Sequence, residues 1–340
     1  MQLPSPRGPI SARVISALRD GRSVDAASEP DADLDLRGAD PLSDDDLHLA
    51  LWVLYELHYR GFDDVGAERE WDAGLISLRG RLEAVFEEAL RHLVGDLVAV
   101  AEGGADVVEQ IRSLIEAADG PDLARYVQRD ATHEEFLDLI VQRSIYTLKE
   151  SDPSSFVLPR LDGAPKAALA ELQYDEYGGG RPDRLHATLF ARAMDACGLD
   201  SRYGAYIEQA TGPTLALNNA MSLFCLHRRL RGAALGHLAA FESTSTLPCR
   251  RIATGVQRLG LGDAVWDYFD EHVEADAVHE EVALRSICAP VVAADPSLRP
   301  EVLFGAAACL ALDSASAAAL LRGWGTGAPG DTRASDRVSA

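Results

Sequence analysis

His272, Asp276 and His279 are the residues whose types and spacing speak most directly of chemistry. At about 100° per residue they fall at 0°, about +40° and about −20° around a helix, so two imidazoles and one carboxylate share a face. Nitrogen and oxygen donors on one stripe is metal-ligand spacing. A solvated polar helix is the alternative. Glu271, Glu274, Glu280 and Glu281 fit it, but it does not explain two histidines bracketing an acid.

A second group lies upstream. On one unbroken helix Glu176 and His186 would stand about 80° apart and about 15 Å along the axis, too far to share an ion. Gly178, Gly179, Gly180 and Pro182 break that helix and free both side chains to approach a common centre. Taken alone, the glycine run is a loop with a polar rim. Glu150, in Leu148-Lys149-Glu150-Ser151-Asp152-Pro153, ends a helix, where an acid opposes the dipole. Glu242 lies inside a long, mostly apolar helix, where an unpartnered carboxylate is costly. A solvated acid or a cap accounts for either one singly. Together, Glu150, Glu176, Glu242 and Asp276 with His186, His272 and His279 offer mixed N/O ligation. Two ferrous ions would balance the four carboxylate charges. A thiolate-free set suits redox-active, O2-activating iron better than structural zinc.

Helices must carry these groups, and apolar periodicity supplies helices along the whole chain. Ser43 followed by Asp44, Asp45 and Asp46 is a helix start, with a capping hydroxyl and acids at the positive end of the dipole. Leu47, Leu51, Leu54 and Leu57 continue that helix to Gly61, and the rhythm returns across Leu75, Leu78, Leu82, Val85, Phe86 and Leu90. Shorter helices over 105–117 and 121–130 are separated by Gly103-Gly104 and Gly120-Pro121. The segments 133–150, 164–177, 183–197, 201–209, 214–244, 249–259, 262–285 and 298–322 also read as helices. No strand alternation bounded by hairpin turns appears there, so the expected fold class is all-α. Residues 1–40 are poor in large apolar groups and read as disordered, 41–130 as an N-terminal helical region with a dimerisation role, and 326–340 as a flexible tail.

Composition narrows the partners. With 32 Lys+Arg against 54 Asp+Glu in 340 residues, the net charge of −22 argues against nucleic acid or an anionic membrane surface. Five scattered cysteines without a C-x-x-C pair indicate neither a disulfide framework nor a zinc knuckle, and fit the cytoplasm. The N-terminus, with Pro at 4, 6 and 9, lacks the apolar run of an export signal. The apolar stretch Val302–Leu321 contains Asp313 and many alanines, which favours a buried helix over a membrane span.

The run 148–153 with Pro159-Arg160-Leu161, then Asp175-Glu176-Tyr177-Gly178-Gly179-Gly180 with His186, then Ala240-Phe241-Glu242, then His272-x3-Asp276-x2-His279, resembles the haem-oxygenase-like diiron oxidases. The resemblance covers roughly 133–325. Tyr55-Glu56-Leu57-His58-Tyr59-Arg60-Gly61-Phe62 is similar to the N-terminal helical region of some members. It implies a haem-oxygenase-like helical bundle over 131–325 with an additional N-terminal helical region. It also implies two iron ions on Glu150, Glu176, His186, Glu242, His272, Asp276 and His279, O2 as co-substrate and an external electron donor. The extra histidine, His186, resembles the members that oxygenate nitrogen. The implied activity is therefore N-oxygenation of a small amine, guanidine or amino acid in natural-product biosynthesis by a homodimer. Oxidative C–C cleavage or desaturation of a carboxylic or amino acid is the alternative; a metal-free binding or lyase protein on the same scaffold is another. A ferritin-like bundle would use Asp183-x-x-His186 and Asp276-x-x-His279, but Asp183 follows Pro182 and is better explained as an acid in a helix's first turn. Glu56 and His58 point to different sides of their helix and read as structural.

Overall fold

Apolar residues at three- and four-residue spacing make helices that must bury one stripe, and the architecture follows from how those stripes meet. The computed structural model describes residues 1–21, 39–101 and 106–326, the side chains of 100 and 274–277 excepted. Among the described residues every regular element is helical: α1 (Pro9–Arg19), α2 (Asp45–Glu56), α3 (Ala73–Ala101), α4 (Val107–Ala117), α5 (Leu123–Arg129), α6 (His133–Thr147), α7 (Asp152–Ser155), α8 (Gly163–Glu176), α9 (His186–Ala196), α10 (Gly212–Leu226), α11 (Arg231–Leu259), α12 (Asp263–Glu281), α13 (Ala289–Ala294) and α14 (Arg299–Gly323), with short 3-10 turns between them. A π-helical segment, Val282–Cys288, prolongs α12. The all-α class expected from periodicity is the class found.

α11 is the central helix, packed along α14 on one side and α12 on another, with α9 beyond α12 and α8 against the π segment. The N-terminal helices join this bundle: α2 packs on α10 and α3 on α14. One apolar core runs from Leu47, Trp52 and Phe86 to Leu215, Phe224, Leu303 and Phe304. A smaller one, of Phe136, Phe190, Met194, Ile252 and Phe269, holds α6, α9, α11 and α12 together.

Six expectations meet a different structure. Within the segment 1–40, residues 9–19 form α1, which buries Ile10, Val14, Ile15 and Leu18. Its N-terminal amides, which have no partner within the helix, are satisfied from a distance: the Asp46 carboxylate on α2 accepts from Ile10 N at 2.8 Å and Ser11 N at 2.7 Å. Residues 22–38, and nearly all of the expected 326–340 tail, lie outside the described residues. The cap of α2 is Asp44, not Ser43, its carboxylate accepting from Leu47 N, and α2 ends at Glu56, short of Gly61. The expected helix 201–209 is a 3-10 turn, Ile207–Gln209, because Gly204 turns the chain at φ 76°.

The expected helix 214–244 divides after Leu226 and resumes at Arg231. Arg160 makes that end possible, its guanidinium donating to the Cys225 and Leu226 carbonyls. Conversely, the break expected between 244 and 249 does not occur, and α11 passes through Pro248. Proline removes the amide that would bond the Thr244 carbonyl. Nearby hydroxyls bond back to the helix, Thr244 Oγ1 to Ala240 O and Ser245 Oγ to Glu242 O.

Small residues let α11 and α14 cross backbone to backbone. A Cβ on Gly236 would collide with the Val302 carbonyl, and one on Gly305 with the Ala233 carbonyl. Rigid backbone cannot step aside, so Gly305→Ala is expected to lower stability by about 3 kcal/mol through overpacking. Gly95→Ala on α3, where a Cβ meets nothing, is expected to be neutral or to stabilise by about 0.5 kcal/mol. Urea midpoints at unchanged m-value test both, and equal midpoints would refute the close crossing. The helical span Pro296–Gly323 is long and apolar enough to cross a membrane, but 61% of its most apolar window is buried inside the protein. It serves as a core helix.

Candidate metal centre

Six of the seven expected site residues converge between α8, α9, α11 and α12. Glu150 sits in the turn between α6 and α7 and Glu176 is the last residue of α8. His186 opens α9, Glu242 lies mid-way along α11, and His272 and His279 lie on α12. Asp276 lies within α12, but its side chain is outside those described.

The glycine turn brings the first pair together. Gly178, Gly179 and Gly180 have φ of 70°, 62° and 79°, a left-handed run that side chains resist. A Cβ on Gly178 would also meet the Arg184 backbone. The turn redirects the chain into α9 so that His186 Nδ1 lies 3.0 Å from Glu176 Oε2. Arg184, beside His186, pairs with both oxygens of Glu271 at 2.6 Å and ties this turn to α12. Asp183 is exposed and joins no ligand group, in keeping with a first-turn acid.

The donors form two adjoining triads. In each of Glu150, His186, His272 and Glu176, Glu242, His279, the three donor atoms lie within 4.8 Å of one another, and all six residues are buried. Along α12 the two histidines stand about 10 Å apart in rise, so one helix face serves neighbouring triads. Glu176 joins them. Its Oε2 faces His186, while its Oε1 lies 3.3 Å from His279 Nδ1. His279 Nδ1 also lies 3.6 Å from Glu242 Oε2, and His272 Nε2 lies 3.7 Å from Glu150 Oε2. Neighbours orient several of these groups. His272 Nδ1–H donates to Tyr268 O at 2.7 Å, which directs Nε2 toward Glu150, and Ser151 Oγ donates to Glu176 Oε2 at 2.9 Å.

Electrostatics mark the site as one made for cations. Burial alone would push the Glu176 carboxyl up, but its contacts with the His186 and His279 imidazoles outweigh it and hold the pKa well below the carboxylate range. Burial alone would lower His279, yet Glu176 and Glu242 raise it to about 11. His186 is raised above its ordinary value for the same reason, burial being overcome by Glu176. The buried carboxylates thus favour positive charge at positions that would suit metal cations. Glu150 Oε2, His186 Nδ1 and His279 Nδ1 are buried without a well-directed hydrogen bond among the described residues. Mixed carboxylate and imidazole donors with unsatisfied buried atoms fit iron.

The sequence profile of the iron-containing redox enzymes matches residues 137–314, more than half of the chain. The chain belongs to this family. The iron-containing redox enzyme is thus an oxidoreductase, and both triads fall inside the matched region. Over 168 residues it is 31% identical to the nitrosourea synthase of Streptomyces achromogenes subsp. streptozoticus, spanning 49% of this chain and only 36% of that protein. Two crystal structures of a CADD-like protein of unknown function from Nostoc punctiforme PCC 73102 are similar in fold. One has a TM-score of 0.48 at 18% identity and the other 0.46 at 16%, covering 69% of this chain and 97% and 95% of theirs.

Sequence reasoning passed over the groups that surround the triads. Lys149, next to Glu150, is fully buried against Glu56 at 3.2 Å, and Tyr203 OH donates to the same carboxylate at 2.6 Å. Glu56 thus has the structural role expected of it, anchoring the Glu150 turn to α2. His58 pairs with Glu70 at 3.3 Å, also as a structural group. Beside the triads, Gln173 and His237 line a small cavity with Tyr146 and Phe241. Gln173 stands three residues before Glu176 on the same helix face, a spacing that signals shared surroundings. His237 offers only its polarity within an apolar run.

Proposed function

We propose that the protein is a non-haem diiron N-oxygenase using O2 and electrons from an external donor on a small amine, guanidine or amino acid in natural-product biosynthesis. The observation that carries this reading is the pair of adjoining triads sharing Glu176. Glu150, His186 and His272 would hold one iron, Glu176, Glu242 and His279 the other, with Asp276 as a further ligand. When bound, two ferrous ions supply electrons to dioxygen. For a primary amine the first oxidation balances as R–NH2 + O2 + 2e⁻ + 2H⁺ → R–NHOH + H2O, the donor restoring the electrons.

The chain's own groups position and protect. The wall of Leu172, Met221, Phe224, Leu238 and Phe241 excludes bulk water. Glu150, Glu176, Glu242 and His272 face the same cavity, so a nitrogen inside it is held beside the ligands. Two features support nitrogen over carbon: His186 as an additional candidate donor, and the streptomycete relative's name, which denotes a product with a nitrogen–oxygen bond.

Anaerobically reconstituted protein is expected to bind close to two irons per chain and, under ¹⁸O2 with a reductant, to form ¹⁸O–N products from a small amine or guanidine. One iron per chain, unchanged by His272→Ala, would sink the diiron reading. Release of an alkene, aldehyde or CO2 from a carboxylic acid without an N–O bond would instead support the cleavage or desaturation alternative.

A further inference from the structure

We infer that Gln173 and His237 orient the substrate, receiving a small N–H-bearing head group, an amino or guanidino group, in the cavity beside the two triads. This rests on the proposed oxygenation of nitrogen. Glu150, Glu176, Glu242 and His272 form part of the cavity wall, so a group inside lies against the candidate ligands. Gln173 and His237 are 3% and 4% exposed, yet Gln173 Oε1 and His237 Nε2 each lack a hydrogen-bond partner among the described residues. A buried polar atom left unsatisfied costs about 1–3 kcal/mol, so two beside one cavity point to a ligand that satisfies them.

Their chemistry selects that ligand. Gln173 Nε2 donates to Ser151 O at 3.0 Å, which leaves Oε1 as a pure acceptor for N–H or O–H. Burial lowers His237 to about 4, so its ring is neutral and offers one donor and one acceptor nitrogen. The described lining contains three carboxylates and neither Lys nor Arg. Among these side chains a carboxylate head would meet neither Lys nor Arg, whereas an N–H head meets acceptors. The cavity, about 30 Å³, holds roughly two waters, so it admits a head group rather than a whole amino acid. Met221, unbranched and flexible, lies in the wall and is able to yield to a guanidino group.

Anaerobic calorimetry on the Fe(II)-loaded protein tests the pair, with methylamine, methylguanidine and acetate as probes. One N–H probe is expected to bind at least tenfold tighter than acetate. Gln173→Leu and His237→Leu should each weaken it at least tenfold at unchanged iron content. Should a Leu variant lose its helicity or its iron, Gln173→Met or His237→Phe replaces it in the same comparison. In turnover the rise should appear in KM more than in kcat. Acetate binding more tightly than both N–H probes, or variants with unchanged probe affinity, would overturn the assignment. The two readings also fail separately. Probe binding that depends on the pair, without ¹⁸O–N product from the wild type, removes the oxygenation; product at wild-type kcat/KM in both Leu variants removes the pair.

Discussion

Glu176→Ala is expected to reduce iron to one per chain or less and to slow product formation at least about 100-fold. Loss of groups that merely support a metal ligand already costs about 10–100-fold in affinity or activity, and a shared ligand removes more. Glu176 is the shared group, one oxygen 3.0 Å from His186 Nδ1 and the other 3.3 Å from His279 Nδ1. Its removal also strands the Ser151 hydroxyl, which donates to Oε2. Asp175, the adjacent acid, is a useful contrast: its side chain is 53% exposed and its carboxylate lies 3.7 Å from His279 Nε2. Asp175→Ala is expected to keep two irons. Chelation assays of iron per chain, with single-turnover rates, make the comparison. A Glu176→Ala protein with two irons and undiminished turnover would eliminate the shared-ligand role.

His186→Ala separates holding iron from oxygenating nitrogen. Five described donors remain when the imidazole is lost, and the other triad is intact, so iron is expected to stay above about one per chain. N–O product is expected to fall about 100-fold while O2 is still consumed. The ring's placement depends on surroundings the substitution leaves alone: the left-handed glycine turn and the Arg184–Glu271 pair. His186 also lies with its ring centre 4.5 Å from that of His272. Arg184→Ala should therefore lower the same product more mildly, by loosening the turn without removing the donor. Oxygen electrode traces and product mass spectra, read together, check the split. N-oxygenation at the wild-type rate by His186→Ala would refute the role given to this histidine.

Much of this was legible in the sequence because helices are local. A periodicity of 3.6 residues writes the elements directly into the order of residues, and it places His272 and His279 on one stripe whatever α12 packs against. The glycine run marked a break in the helix, since glycine and proline interrupt helices, but its left-handed course is seen only in the fold. Where local rules failed, a distant group had intervened. Asp46 orders α1 across 36 residues, and Arg160 ends α10 across 66. Pro248 alone argues for a break, yet packing along α12 and α14 carries α11 through it.

The types of the candidate donors, their helical faces and the break between Glu176 and His186 thus followed from residue identity and spacing, because each depends on bonds within a few residues. The division of the donors into two triads did not, nor did the sharing of Glu176 or the cavity walled by Gln173 and His237. Those arise where α8, α11 and α12 meet, and the distances between helices are set by side-chain volumes and by close crossings such as that of Gly236 and Gly305. No spacing along one chain segment encodes a separation between two others.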